Sequence, residues 1–179
     1  ADIKRLRGME GVRVREAYAA ASRATGVPWH GRRYVPGKPS ASDPVNLALS
    51  AANACLYGVC HAAIVSVGLA PGLGFIHVGR SQSFVYDIAD LYKCETAIPA
   101  AFQAAAEDPD NSHNLVRTYL RDHFSRERVL VRIVGDIMEA LDVELPDEDE
   151  VDPTGALWDP GEGNVASGIN YGQRTAEQA

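Results

Sequence analysis

Three cysteines in 179 residues leave no even number to pair, and Cys55 and Cys60, five apart, fall on different faces of any helix they share. A disulfide-stapled scaffold is excluded, and reduced thiols in a cytosolic protein are the expectation. No GxxxxGKS or GxxxxGKT stretch occurs, and no GxGxxG follows a strand pattern, so the common phosphate cradles of nucleotide enzymes are excluded. Internal repeats are missing, as is the alternation expected of a parallel sheet. Charge is missing too: residues 45–69 contain no Asp, Glu, Lys or Arg. That length raises the question of a membrane span. Asn46, Ser50, Asn53, Tyr57, His61 and Ser66 interrupt it, however, without an aromatic belt, a flanking basic cluster or a second such segment. The stretch reads as a buried core helix, apolar nearly all round because neighbours enclose it. His61 is then a core or cleft histidine held by hydrogen bonds. The opening ADIKRLRG carries neither an initiator Met nor the layout of a signal peptide, so a cytoplasmic location is expected. It begins inside a helical pattern, which points to a piece of a longer protein.

What is present is unevenly placed. The formal net charge is −7, yet residues 1–141 hold 16 Lys and Arg against 14 Asp and Glu, while residues 142–162 hold nine acids and no base. The body is mildly basic, with Lys4, Arg5, Arg7, Arg13, Arg15, Arg23, Arg32, Arg33 and Lys38 crowded at its start. Such a run suits phosphate contacts, and it equally suits solvated arginines on an exposed helix. At this length about 70% of the unfolded chain's surface can be buried, enough for one core without a metal or disulfide.

The pattern along the chain predicts an all-α fold. Residues 2–25 place Leu6, Met9, Val12, Val14 and Tyr18 near helical spacing and stop at Gly26. Gly8 and Gly11 lie inside this helix at a cost of up to about 1 kcal/mol each relative to Ala, so a close approach of another backbone or a ligand is expected there. Glu10 between them is spaced to pair with Arg7 or Arg13. Residues 26–42 form a proline- and glycine-rich loop anchored by Trp29 and Tyr34. Asp43 and Pro44 suit the N-cap and first position of the charge-free helix. Further helices follow at about 83–93, with Phe84, Val85, Ile88 and Leu91 on the apolar side, then near Thr96, near Ser112, and from Ser125 to Val143. Residues 1–143 thus form one helical domain. The acidic, low-complexity tail at 144–179 lacks a core-forming pattern and is expected to be disordered in isolation.

The chemistry gathers in GFIHVGRSQSFVYDIADLYK at 74–93. His77 sits in a glycine-bracketed loop, and Asp87 and Asp90, three apart, share one face of the next helix. A histidine with two carboxylates suits a divalent metal. The same Asp-x-x-Asp spacing also suits a plain solvated face.

Taken together, RGMEG at 7–11, GRRY at 31–34, CLYGVCHAAI at 55–64, GLGFIHVGR at 72–80 and SFVYDIADL at 83–91 resemble the CRISPR-associated adaptation integrases, the "Cas-one" family, and most of all their type I-E branch. The likeness covers residues 1–143 and extends only to the family's C-terminal helical lobe. The N-terminal β-rich lobe through which members dimerise has no counterpart here. The resemblance implies that Glu10, His77 and Asp90 bind Mg²⁺ or Mn²⁺, and that Asp87 belongs with them in a catalytic set. It also implies that Arg80 contacts a phosphate; Arg7, Arg13, Arg32 and Arg33 of the basic run are further DNA-binding candidates, and Tyr86 is expected to pack or hydrogen-bond beside the metal. The implied activity is integration of prespacer DNA into the CRISPR repeat by transesterification, with nuclease activity on branched DNA. The implied partners are prespacer and repeat DNA, a homodimeric second copy, and the small dimeric "Cas-two" protein, for which the acidic tail is a docking candidate. A helical DNA-binding or scaffold module with an inactive site is the alternative.

Overall fold

The computed structural model describes residues 3–33, 43–143, 156–159, 161 and 163–166, with side chains in the first helix described from residue 8 onward. Six helices form the first unit: α1 (Ile3–Thr25), α2 (Pro44–Ser66), α3 (Ser83–Tyr92), α4 (Ala97–Glu107), α5 (Ser112–Arg126) and α6 (Val129–Ala140). The chain divides into two compact units, residues 1–141 and 142–179. In the second, β1 (Ala156–Asp159) and β2 (Gly163–Ala166) pair antiparallel, with Ala156 opposite Ala166 and Asp159 opposite Gly163. Strands of four residues are too short to show alternation in a sequence. The tail expectation otherwise concerns residues outside those described, as do Tyr34 and Lys38.

The charge-free helix organises the first unit because its apolar surface has to be covered. Asp43 caps α2 by accepting the Asn46 amide at 2.8 Å, and Pro44 takes the first turn, where no donor is needed. At the other end Gly68 adopts φ +76°, and the Leu69 amide reaches back to Ile64 O at 3.1 Å. Between these ends α2 packs against α3, α4, α5 and α6. Val45, Ala48, Leu49, Ala52, Leu56, Cys60, Ala63 and Ile64 are buried by those neighbours. Among the described residues α2 is the one helix long and apolar enough to cross a membrane by length and composition. Enclosure is not complete, contrary to expectation: Ala54, Gly58, His61, Ala62 and Val65 are exposed along one face. His61 therefore lines a surface cleft with Tyr57 and Gln82.

Other expectations change in the same way. The Ser125–Val143 helix is two pieces of chain: α5 runs to Arg126, Arg128 takes a left-handed φ of 49°, and α6 starts at Val129. A left-handed residue cannot be carried inside a helix. Among the described side chains of α1, Ala21 and Tyr18 near its C-terminal end pack on the core and α4, while Met9 remains 61% exposed. Leu91 is exposed as well. A Cβ built at Gly8 or Gly11 meets nothing within 4 Å, so no neighbouring helix explains these glycines. Trp29 anchors its loop as expected, stacking on Tyr18 at 4.3 Å and tilting against Phe102 at 5.5 Å.

Phe102 sits where α1, the Trp29 loop and the core meet, fully buried. Phe102→Ala is expected to lower the unfolding free energy by about 3–5 kcal/mol, read by urea denaturation. A loss under about 1 kcal/mol would contradict this packing.

Candidate active site

Residues 69–82 fold back onto the start of α3. The Phe84 amide donates to Pro71 O at 2.8 Å, and the Arg80 amide donates to Ser83 Oγ at 3.1 Å. One turn into α3, the Asp87 carboxylate points into this loop. Oδ2 accepts the amides of Phe75 (2.6 Å) and Ile76 (3.0 Å), while Oδ1 accepts the His77 amide (2.9 Å) and meets His77 Nδ1 (2.7 Å). The side chain is only 7% exposed. Burial opposes its charge, but the three amides and the imidazole outweigh burial, and the carboxyl is held below its usual range. Gly74 makes this closeness possible. A Cβ there would stand 2.7 Å from the Ser83 carbonyl carbon, 2.9 Å from Asp87 Oδ2 and nearer still to His77 O.

With Nδ1 held by Asp87, Nε2 is the ring nitrogen turned toward the other side of the cleft. Nε2 faces Asp90 Oδ2 at 3.9 Å. Asp90, one turn along α3 from Asp87, is almost fully buried. Glu10 approaches the same point from α1. Partial burial, and after it the adjacent Asp90 carboxylate, push the Glu10 carboxyl above its usual range. Arg13, one turn further along α1, donates to the Asp90 main-chain carbonyl and so ties α1 to α3. Of the two ion-pair partners expected for Glu10, Arg13 is thus committed to a backbone oxygen, and Arg7 lies among the side chains outside those described.

Lys93 has no place in the sequence reading, although its spacing of three from Asp90 is the available signal. Its Nζ contacts Asp90 Oδ1, its side chain is 17% exposed, and it lies 6.0 Å from the Tyr57 ring centre. Burial opposes its charge, but Asp90 together with Tyr57 and Tyr18 outweighs burial and holds the ammonium above the usual lysine range. Among the described residues no three His, Cys, Asp or Glu side chains are already gathered closely enough to hold a metal. Glu10, His77 and Asp90 share one cleft without closing on a single point.

Two clefts meet at His77 and Asp90. One, of about 340 Å³, is bordered by Met9, Glu10, Arg13, Ile76 and Leu91. The other, of about 620 Å³, is cationic and aromatic, lined by Arg32, Tyr57, Arg80, Tyr86 and Lys93 among others. Tyr86 stands edge-on to both His77 (5.8 Å) and Tyr57 (5.2 Å), a packing role. Arg32 bonds Asn46 and Ser50 on α2, and Arg33 donates its amide to Asn46 Oδ1 while its side chain is exposed. Arg80 is exposed at the cleft. The Arg7 side chain lies outside those described.

Asp87→Asn removes acceptor capacity from four N–H groups, so the amides of Phe75, Ile76 and His77 are expected to exchange with solvent at least about tenfold faster, while α2 amides keep their protection. Equal protection in both proteins would contradict the role of Asp87. A depressed carboxyl stabilises above its unfolded pKa and loses that contribution as pH falls through the folded value. The 75–77 amide resonances should therefore hold at pH 5 and shift only below about pH 4.

Comparison with known proteins identifies the family. The family model for CRISPR associated protein Cas1 matches residues 1–132. The chain is 51% identical over 176 residues to CRISPR-associated endonuclease Cas1 2 of Thermus thermophilus, covering 95% of this chain and 54% of that protein. It is 45% identical over 171 residues to the Cas1 endonuclease of a Clostridium species, covering 94% and 56%. Against the crystal structure of a TtCas1–DNA complex the TM-score is 0.74 at 52% identity, over 78% of this chain and 53% of that one. The chain spans about half the length of the curated relatives it matches. On the family model and these identities, the chain belongs to the Cas1 family of CRISPR-associated proteins.

Proposed function

We propose that this chain is the catalytic lobe of a divalent-metal-dependent DNA integrase and endonuclease of CRISPR spacer acquisition, type I-E-like in its motifs. The observation that carries the reading is the orientation of one histidine. Asp87 takes Nδ1, which leaves Nε2 facing Asp90 and the Glu10 cleft. Carboxylates on Glu10 and Asp90 with one imidazole nitrogen form a donor set suited to Mg²⁺ or Mn²⁺. The raised Glu10 carboxyl opposite Asp90 fits that set, because two adjacent carboxylates gain most from a shared cation. When bound, the metal would reduce charge on a scissile phosphate and orient an attacking hydroxyl.

The chain's own residues do the rest. Glu10, His77 and Asp90 hold the ion, and Asp87 fixes the tautomer and direction of the His77 ring. Tyr86 limits the swing of that ring by packing on its edge. Arg80 and Arg33, exposed beside the cationic cleft and on the neighbouring loop, contact phosphates. In the reaction, a prespacer 3′-hydroxyl attacks a phosphodiester of the CRISPR repeat. The attacking hydroxyl gives up its proton as the new phosphodiester forms, the old ester bond breaks and its oxygen takes up a proton, so no net proton is consumed and no covalent protein intermediate is needed. Action on prespacer and repeat DNA, a cytoplasmic location, a homodimer and the "Cas-two" partner all belong to this proposal. A crystal structure of a relative bound to DNA, 52% identical to this chain, supports the nucleic-acid part.

His77→Ala and Asp90→Ala are expected to abolish Mn²⁺-dependent cleavage and joining of DNA with circular dichroism unchanged. Full activity in both variants would sink the proposal. Mn²⁺ should raise the melting temperature of the wild-type chain, while Glu10→Gln should melt no lower than wild type without metal and respond far less to Mn²⁺. If Arg80 contacts a phosphate, Arg80→Ala should reduce the slope of log affinity against log salt by about 1. An unchanged slope would place Arg80 off the DNA.

A further inference from the structure

Glu10, His77 and Lys93 all stand against the Asp90 carboxylate, and its two oxygens face different neighbours. Oδ2 faces His77 Nε2, and Oδ1 is taken by the Lys93 ammonium. Lys93 reaches this position from within α3's own turn, is largely enclosed, and borders the cationic cleft with Arg32 and Arg80 rather than the cleft lined by Glu10. A cation of the protein thus rests against the carboxylate expected to hold the metal, on the side from which a phosphate would arrive.

We propose that Lys93 is an internal counter-cation shared between Asp90 and the DNA phosphate: it neutralises Asp90 in the metal-free protein and moves to a phosphate in the Arg32–Arg80 cleft when DNA binds, so that metal and DNA bind cooperatively. This rests on the metal reading above. While Lys93 holds Oδ1, an incoming divalent ion meets only Oδ2 of Asp90 and is repelled by an adjacent ammonium. A phosphate in the larger cleft competes for the ammonium, because it offers Lys93 a negative partner without leaving the cleft lined by Arg32 and Arg80. Release of Lys93 frees the whole Asp90 carboxylate. Linkage then makes the effect mutual: DNA tightens metal binding and metal tightens DNA binding by the same factor. Lys93 is a positioning residue in this scheme and makes or breaks no bond in the reaction.

The test is Mn²⁺ affinity of the 179-residue chain, measured from the free-Mn²⁺ electron paramagnetic resonance signal, with and without a short single-stranded oligonucleotide. In the wild type the oligonucleotide should tighten Mn²⁺ binding at least about fivefold, the low end of coupling between sites. Lys93→Met should bind Mn²⁺ more tightly than wild type without DNA and lose most of the DNA-dependent gain. Lys93→Arg, which keeps the charge, should retain the coupling. Lys93→Gln gives the same reading as Lys93→Met should the latter not fold. Neutral variants that bind Mn²⁺ as the wild type does, with the same DNA effect, would overturn the role of Lys93. Absence of Mn²⁺ binding in every protein, with and without DNA, would instead overturn the metal reading and the inference with it.

Discussion

A single carboxylate holds the site together. Asp87 collects three consecutive backbone amides and one imidazole nitrogen of the 69–82 loop. Charge-assisted bonds of this kind are stronger than neutral ones, and here they act on a loop with little core of its own, since Leu73, Phe75 and Val78 are largely exposed. Asp87 in turn is positioned by α3, and α3 is positioned by α2, whose lack of charge obliges it to be covered. The order of dependence runs from a charge-free helix to a helix laid upon it, from there to one carboxylate, and from the carboxylate to the direction of one histidine.

The same carboxylate explains why two aspartates at a spacing of three have different roles. Asp87 faces the loop and accepts four N–H groups on its two oxygens. Asp90, one turn along, faces Glu10, His77 Nε2 and Lys93. Helical geometry puts both on one side of α3, but the loop reaches only the first. Under the proposed metal reading, Asp87 would orient the histidine and Asp90 would ligate, a division of labour usual where a histidine is prepared for a metal.

Much of this was legible in the residues. Asp43-Pro44 marks the start of α2, Gly26 and Gly68 end their helices with positive φ, and Trp29 is an anchor because a loop with few other apolar side chains has to use it. The family motifs brought Glu10 to His77 and Asp90 across 67 residues, which no local pattern could do. Other features depend on what sits opposite, and spacing is silent about that. Met9 and Leu91 follow helical periodicity yet border an open cleft. Arg13 and Arg32 look like free cations in a basic run, but each meets oxygens of the protein. Lys93 went unnoticed because a lysine at the end of an amphipathic helix is ordinary until its partner is seen to be a buried aspartate.

The basic residues accordingly sort into two groups. Arg13 and Arg32 hold α1 and the Trp29 loop to the framework, while Arg33 and Arg80 project outward. A cationic cleft and a more apolar one then share His77 and Asp90 as a common wall. The central claim, that Glu10, His77 and Asp90 hold one ion, is tested most directly by an anomalous-scattering map from a Mn²⁺-soaked crystal. The account predicts one strong peak bonded by a Glu10 carboxylate oxygen, His77 Nε2 and an Asp90 oxygen, with Asp87 still on the loop amides. A map with no peak there, or with Asp87 in place of Asp90 on the ion, would contradict it.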